Sequence, residues 1–307
     1  MTAQIIDGRE TAGAIRAELR RDVARLAERG IVPGLAVVLV GDDPASVSYV
    51  TGKGRACQEL GIHSEDIRLP ADTLLADLLD LVARLNGDPR IHGILVQLPL
   101  PAHIDDDAVL LAIDPDKDVD GFHPVNAGRL SIGLPGFAPC TPAGIIEMLK
   151  RYEIPLQGAH AVVVGRSNIV GKPMALMLLR EHCTVTVCHS RTRALAAVGA
   201  PADLLGAAVG VLGLIGERAI KPGAVVVDVG MHNVTDEDTC RRMFGDSPKR
   251  LKAVRERGAT LAGDVVPVEA AGRAGWLSPV PGGVGPLTIA MLLENALRAA
   301  EWSATSR

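Results

Sequence analysis

The chain has 307 residues, enough for two domains with a core in each. A net charge of −4 with no basic run excludes the electrostatic footprint of a nucleic-acid binder, and an aromatic content of 2% leaves no stacking platform for single strands. Five cysteines (Cys57, Cys140, Cys183, Cys188 and Cys240) without a CxxC pair indicate buried, reduced thiols rather than a zinc site or a disulfide framework.

The N-terminal MTAQIIDGRE lacks the basic flank and apolar run of a signal peptide, and no apolar stretch is long enough to span a bilayer, so a soluble cytoplasmic protein is expected. Residues 11–29 place Ile15, Leu19, Val23 and Leu26 at helical spacing. GLAVVLVG then reads as a strand buried on both faces, followed by a helix bearing Tyr49 and Lys53, with Ser46 near its start. EDIRLP is a short strand, 73–86 a helix, IHGILVQLPLP a strand and 105–113 a helix. The glycine- and proline-rich stretch between Asp120 and Pro139 reads as a dividing loop. Beyond it, Thr141 is placed to cap a helix with Pro142 at the first helical position. Strand HAVVVG, a helix near 171–181, and strands TVTVC, DLLGAAVG and GAVVVDVG form a second unit, and PLTIAMLLENALRAA closes the chain as a helix. Alternating strands and helices define an α/β fold with parallel sheets.

Two stretches carry chemistry. In VVVGRSNIVGKP a valine strand runs into Gly165 and a helix follows Gly171, the context in which backbone amides and a helix N-terminus meet a dinucleotide pyrophosphate. Only the outer glycines of GxGxxG are present, so the motif alone is equally well a tight turn. The end of the next strand offers His189, Ser190 and Arg191 and no carboxylate for a ribose 2′-hydroxyl, and Arg166 sits inside the loop. Such donors suit a 2′-phosphate, so NADP is the expected cofactor, although either arginine singly reads as well as a solvated surface group.

The second stretch is SVSYVTGKGRAC, which sets Tyr49 and Lys53 one helical turn apart on one face. A YxxxK pair also marks short-chain dehydrogenases. Those place the pair downstream of the glycine loop, and here it lies upstream by more than a hundred residues.

VGDDPASVSYVTGK, GILVQLPLP, PDKDVDGFHPVNAG, PCTPAG, GRSNIVGKP and SPVPGGVGPLTIAMLLEN, in that order from about Ile5 to Leu297, resemble the bifunctional methylenetetrahydrofolate dehydrogenase/methenyltetrahydrofolate cyclohydrolase (FolD) family. The resemblance implies oxidation of 5,10-methylenetetrahydrofolate with NADP, then hydrolysis of the methenyl product to 10-formyltetrahydrofolate. By matching motifs it implies a catalytic Lys53, a stacking Tyr49, a Gln97 that tunes the lysine and a pterin-gripping Asp120. Cofactor contacts map onto Gly165, Arg166, Ser167 and Ser190, with a backbone contact at Met231. It further implies a homodimer and two domains with a cleft between them: 1–138 plus the C-terminal helix 284–307 for folate, and a Rossmann-like 139–283 for NADP.

The chemistry suits these residues. A flat pterin stacks on a tyrosine, and a carboxylate accepts two hydrogen bonds from its amino-pyrimidine edge. Gln97 ends a strand where α/β sheets present side chains to ligands. Hydride loss leaves a cationic carbon, which a charged lysine would oppose, while hydrolysis needs proton transfers. A lysine whose pKa is lowered by burial serves both steps. Taken alone, each of these residues would read as an ordinary solvated or turn-satisfying side chain.

Some features depart from the family pattern or lie outside it. The stretch 233–262 is longer and more charged than expected, with TDEDTCRRMF and SPKRLKAVRER reading as short surface helices, and it puts the nearby cofactor contacts in question. VGVLGLIGERAIKPG is looser than the usual pattern. PVPGGVGPLT reads as a turn that brings the last helix home, as a close backbone approach to folate or nicotinamide, or as both. No histidine spacing suggests a metal site, and a P-loop for formate ligation is absent. A shikimate dehydrogenase, or a non-catalytic folate- or nucleotide-binding protein, would be the competing class.

Overall fold

The computed structural model describes residues 2–305. The chain divides into two compact units: one holds the chain up to Thr11 and Thr141–Thr288, the other Ala12–Cys140 and the residues from Ile289 onward. The divisions fall within helices Gly8–Glu28, Cys140–Arg151 and Gly285–Thr305.

The Ala12–Cys140 unit has a three-stranded parallel sheet in the order His63–Leu69, Gly34–Val40, Gly93–Val96. Every residue of the central strand GLAVVLV is buried, because helices cover a parallel sheet on both faces. On one side Val38, Ile94 and Val96 pack with Leu78, Val82 and Leu85 of helix Leu75–Gly87. The segment after helix Asp106–Ala112 runs beside the Gly93–Val96 strand, with a parallel bridge between Ile94 and Asp118.

Between Asp120 and Pro139 the expected loop contains helix Pro124–Ile132. His123 accepts from the Val125 amide, Pro124 occupies the first helical position, and Gly133 closes the helix in the left-handed region at φ 76°. Proline at the start and glycine past the end are helix signals, outweighed in the sequence reading by glycine and proline content.

The other unit has a six-stranded sheet, all parallel, in the order Gln4–Ile5, Trp276–Leu277, Val225–Asp228, Leu204–Ala207, His160–Val164, Thr184–Cys188. The first residues of the chain thus supply an edge strand to this sheet rather than to the unit that the sequence reading gave them. Chain order reverses between His160–Val164 and Leu204–Ala207, a topological switch point. The Cys140–Arg151 helix begins one residue before Thr141, which therefore lies in its first turn instead of capping it, and the Thr141 hydroxyl pairs with that of Thr288 at 3.0 Å. Pro142 is tolerated there because its missing N–H would have had no partner in the helix.

The charged 233–262 stretch is more than surface. Strands His232–Val234 and Thr260–Ala262 pair antiparallel around helices Glu237–Phe244 and Pro248–Arg257. Val234, Cys240, Met243, Leu251, Val254, Ala262 and Val266 form a buried cluster of their own. All five cysteines are buried and free.

Candidate active site

Helix Pro44–Leu60 is capped by Asp43, whose carboxylate accepts from the Ser46 amide at 2.8 Å. Val50, Lys53, Cys57 and Leu60 recur on its buried face, so the lysine occupies a core-facing position and is only 4% exposed. Its Nζ donates to Gln97 Oε1 at 3.0 Å and lies 5.0 Å from the centre of the half-buried Tyr49 ring. Gln97 follows the Gly93–Val96 strand directly. Its amide N–H is held by Val38 O at 2.8 Å, and its side-chain amide donates to Leu98 O at 2.7 Å, which leaves Oε1 directed at the lysine.

Burial lowers the Lys53 pKa from the ordinary lysine value, and the nearby Asp120, Cys140 and Cys57 partly restore it. Asp120 is pushed up to about 6, first by burial and then by the neighbouring Asp118, against the opposing pull of Lys53 and of the Cys140 thiol. The two carboxylates of DVD have separate fates. Asp118 is buried and accepts from the His123 amide at 2.9 Å, the Phe122 amide at 3.2 Å and Asn126 Nδ2 at 2.9 Å. Asp118 ties down the turn, and Asp120 belongs to the lysine's surroundings.

Cys140 and Asn295 join this site, although the sequence motifs that contain them point to no role for either. The Cys140 thiol donates to Val119 O at 3.4 Å and lies 3.9 Å from Asp120 Oδ1. Asn295 Nδ2, on the last helix, donates to Val119 O at 2.8 Å and Ala138 O at 3.2 Å. A buried asparagine this far along the chain carries no local signal of its partners.

In the other unit, Gly165 ends the His160–Val164 strand at the switch point, with φ 137°. A Cβ there would stand 2.2 Å from Ala208 O, so glycine is required by the close approach of two strand ends. Ser167 Oγ accepts from the Val170 and Gly171 amides at 3.1 and 3.3 Å, closing the turn before helix Gly171–Arg180, whose N-cap residue Val170 supplies no side-chain cap of its own. Arg166, Ser167 and Ser190 are exposed at the carboxyl ends of adjacent strands, and Met231, 62% exposed, follows the end of Val225–Asp228.

Sequence reasoning missed a second polar cluster here. Asp228 is 3% exposed and Asp264 0%. Asp228 accepts from the Gly230, Asp264 and Val265 amides at 3.0, 2.9 and 3.0 Å, and burial pushes it up to about 7. Asp264 accepts from the Val209 and Gly210 amides at 2.7 and 2.9 Å and pairs with His232 Nε2 at 2.8 Å. In the charged stretch, Arg250 donates to Leu261 O at 3.0 Å and Val280 O at 2.7 Å, so that stretch is bonded to the PVPGG turn.

A parallel sheet with a glycine turn at its switch point is the arrangement in which dinucleotide-binding α/β proteins hold their cofactor. Residues 6–120 match the catalytic domain of tetrahydrofolate dehydrogenase/cyclohydrolase, and residues 139–304 match its NAD(P)-binding domain, running through the charged 233–262 stretch. The bifunctional protein FolD of Moorella thermoacetica is 55% identical over 300 residues, 98% of this chain and 99% of its own. The crystal structure of the bifunctional FolD dehydrogenase/cyclohydrolase from Campylobacter jejuni superposes with a TM-score of 0.88 at 44% identity, covering 97% of this chain and 99% of that one. The Trypanosoma brucei dehydrogenase-cyclohydrolase, solved with NADP cofactor and inhibitor, gives 0.89 at 38% identity over 99% of both chains. The chain belongs to the tetrahydrofolate dehydrogenase/cyclohydrolase family, which removes the shikimate dehydrogenase reading.

Proposed function

We propose that this protein oxidises 5,10-methylenetetrahydrofolate with NADP and hydrolyses the resulting methenyl compound to 10-formyltetrahydrofolate, with Lys53 as the proton-handling group. The observation that carries the reading is the buried Lys53 amine held at 3.0 Å by Gln97 Oε1. In the first step a hydride leaves the methylene carbon for the nicotinamide of NADP and leaves a cation shared by two folate nitrogens. Burial lowers the Lys53 pKa, which brings the neutral amine within easier reach than in a solvated lysine, and the neutral form does not oppose this charge. In the second step water adds to the cationic carbon and gives up a proton. One carbon–nitrogen bond then breaks as the added hydroxyl releases its proton to solvent and becomes the formyl carbonyl, and the departing nitrogen is protonated. Lys53 takes the first proton and returns one as general acid, and Gln97 fixes the direction of its amine.

Tyr49 stacks on the pterin, and the Asp120 carboxylate accepts from its amino-pyrimidine edge. At the other sheet, Gly165, Arg166 and Ser167 take the pyrophosphate and 2′-phosphate side, with Ser190 beside the 2′-phosphate and the Met231 backbone toward the nicotinamide. The donors fit this cofactor: a glycine turn at a helix N-terminus offers amides to phosphate, and an exposed arginine and serine offer charge-assisted bonds to a 2′-phosphate. When bound, NADP supplies the hydride acceptor. A cytoplasmic homodimer completes the reading. Among the described residues no helix is long and apolar enough to cross a membrane.

Methenyl hydrolysis tests the second activity without the cofactor. Purified protein is expected to accelerate the loss of methenyltetrahydrofolate well above the spontaneous rate with no NADP present. Loss at the spontaneous rate would overturn the cyclohydrolase half and favour a non-catalytic folate binder.

A further inference from the structure

The ladder between strands Leu204–Ala207 and Val225–Asp228 ends where the Val229 amide donates to Ala207 O at 2.8 Å. Beyond that point the two chain segments diverge into loops at the carboxyl end of the sheet. Their amides are not left to solvent. Val209 and Gly210 donate to one oxygen of Asp264, at 2.7 and 2.9 Å, and the other oxygen pairs with His232 Nε2 at 2.8 Å. One fully buried carboxylate therefore bonds the loop after one strand to the residue that follows Met231 on the other.

The surrounding residues are built to bring this carboxylate in. The Asp264 amide is itself held by Asp228 Oδ1 at 2.9 Å, and the same oxygen accepts from Gly230 at 3.0 Å. Glycine is needed at both crossings. A Cβ on Gly230 would stand 2.4 Å from Asp264 Oδ1, and one on Gly263 would stand 1.9 Å from Asp228 Oδ2. Asp228 and its three amide donors shape the support, and Asp264 reaches the loops themselves.

We infer that Asp264 is a positioning residue for NADP: it holds the Val209–Gly210 amides and, through His232, the Met231 segment in the arrangement that receives the nicotinamide half. The inference rests on the proposed dinucleotide reading of this sheet. Its direct consequence is a selective one. Loosening the carboxylate weakens NADP without disturbing folate, because Lys53, Gln97 and Asp120 belong to the other unit.

The test uses D264N, with H232A as a milder change that removes one donor and leaves the carboxylate in place. An amide has one accepting oxygen, so D264N can keep both backbone amides paired only if His232 gives up donating and turns to the tautomer that accepts from the new NH2; in any other arrangement one bond is mispaired. Three quantities are read: the Kd for NADP by titration calorimetry, the KM for NADP and for methylenetetrahydrofolate, and cofactor-free methenyl hydrolysis. For D264N, Kd and KM for NADP are expected to rise about tenfold, the equivalent of one mispaired hydrogen bond. The folate KM and methenyl hydrolysis are expected to stay at the wild-type level, and H232A is expected to show the same pattern more weakly. If D264N does not accumulate folded, H232A decides alone. Unchanged NADP affinity in the folded variants, or an equal loss in cofactor-free hydrolysis, overturns the inference. Absence of NADP binding and turnover in the wild-type protein overturns the cofactor reading itself, and this inference with it.

Discussion

Replacing Lys53 by methionine separates the two chemical steps. Methionine keeps most of the side-chain volume at a position only 4% exposed and removes the amine that bonds Gln97 Oε1 at 3.0 Å. Two effects on stability oppose one another. The amide oxygen loses its donor, a cost of about 1–3 kcal/mol when buried. Against this, the helix no longer buries a cation. The lowered Lys53 pKa means that the folded state binds this proton less tightly than the unfolded chain does. The resulting penalty is fully present below the lowered pKa and disappears as pH rises toward the ordinary lysine value, so its relief in the variant is felt at neutral pH. A net change in stability of at most about 1–2 kcal/mol is expected, read as a small shift in a thermal melt. Methenyl hydrolysis should fall about a hundred- to ten-thousandfold, the usual worth of a positioned acid–base group. Reduction of NADP by methylenetetrahydrofolate should fall by less than about tenfold, since no proton is transferred in that step. Stopped-flow assays of each half-reaction separate the two. Hydrolysis retained within about tenfold would refute the acid–base assignment, and equal losses in both steps would refute the division of labour.

Two further outcomes follow from the same geometry. Asp120, pushed up to about 6, must be ionised to accept two hydrogen bonds from the pterin, so folate affinity should weaken as pH falls through that value. The fold responds in the opposite sense: a raised carboxyl pKa makes the folded state bind the proton more tightly, so this group costs stability progressively between its unfolded pKa and about 6 and fully above. Fluorescence titration of a folate analogue from pH 5 to 8 reads the first effect (these limits are about one and two units either side of it), and a flat profile would remove Asp120 from pterin recognition. Gly165→Ala should destabilise its unit by about 1–3 kcal/mol, because the added Cβ meets Ala208 O at 2.2 Å and φ is 137°. A lowered melting temperature and weaker NADP binding are expected, and wild-type values for both would mean that the turn relaxes freely.

The main elements were legible because parallel strands buried on both faces read as valine runs, as in GLAVVLV and HAVVV. The helix Pro124–Ile132 was misread as loop because local glycine and proline content masked its start and stop signals. The edge pairing of Gln4–Ile5 with Trp276–Leu277 joins two-residue strands from opposite ends of the chain, and nothing in either sequence announces it. At the site, Tyr49, Lys53 and Gln97 come together, as spacing and motif led one to look for. Asp264, Asp228 and Asn295 were invisible for a physical reason. Their partners are mostly backbone amides and carbonyls, which every residue has, so their identity depends on the fold alone. The charged stretch was read from its composition, which hid the apolar positions that give it a core.

The most direct test is a single progress curve. Purified protein is mixed with 5,10-methylenetetrahydrofolate and either NADP or NAD, and reduced cofactor and methenyl product are followed together. With NADP, reduced cofactor should appear faster than methenyl accumulates, after correction for spontaneous hydrolysis, because the second step consumes the product of the first. Equal or faster turnover with NAD would contradict the reading of Arg166 and Ser190, and no reduction with either cofactor would contradict the proposed oxidation.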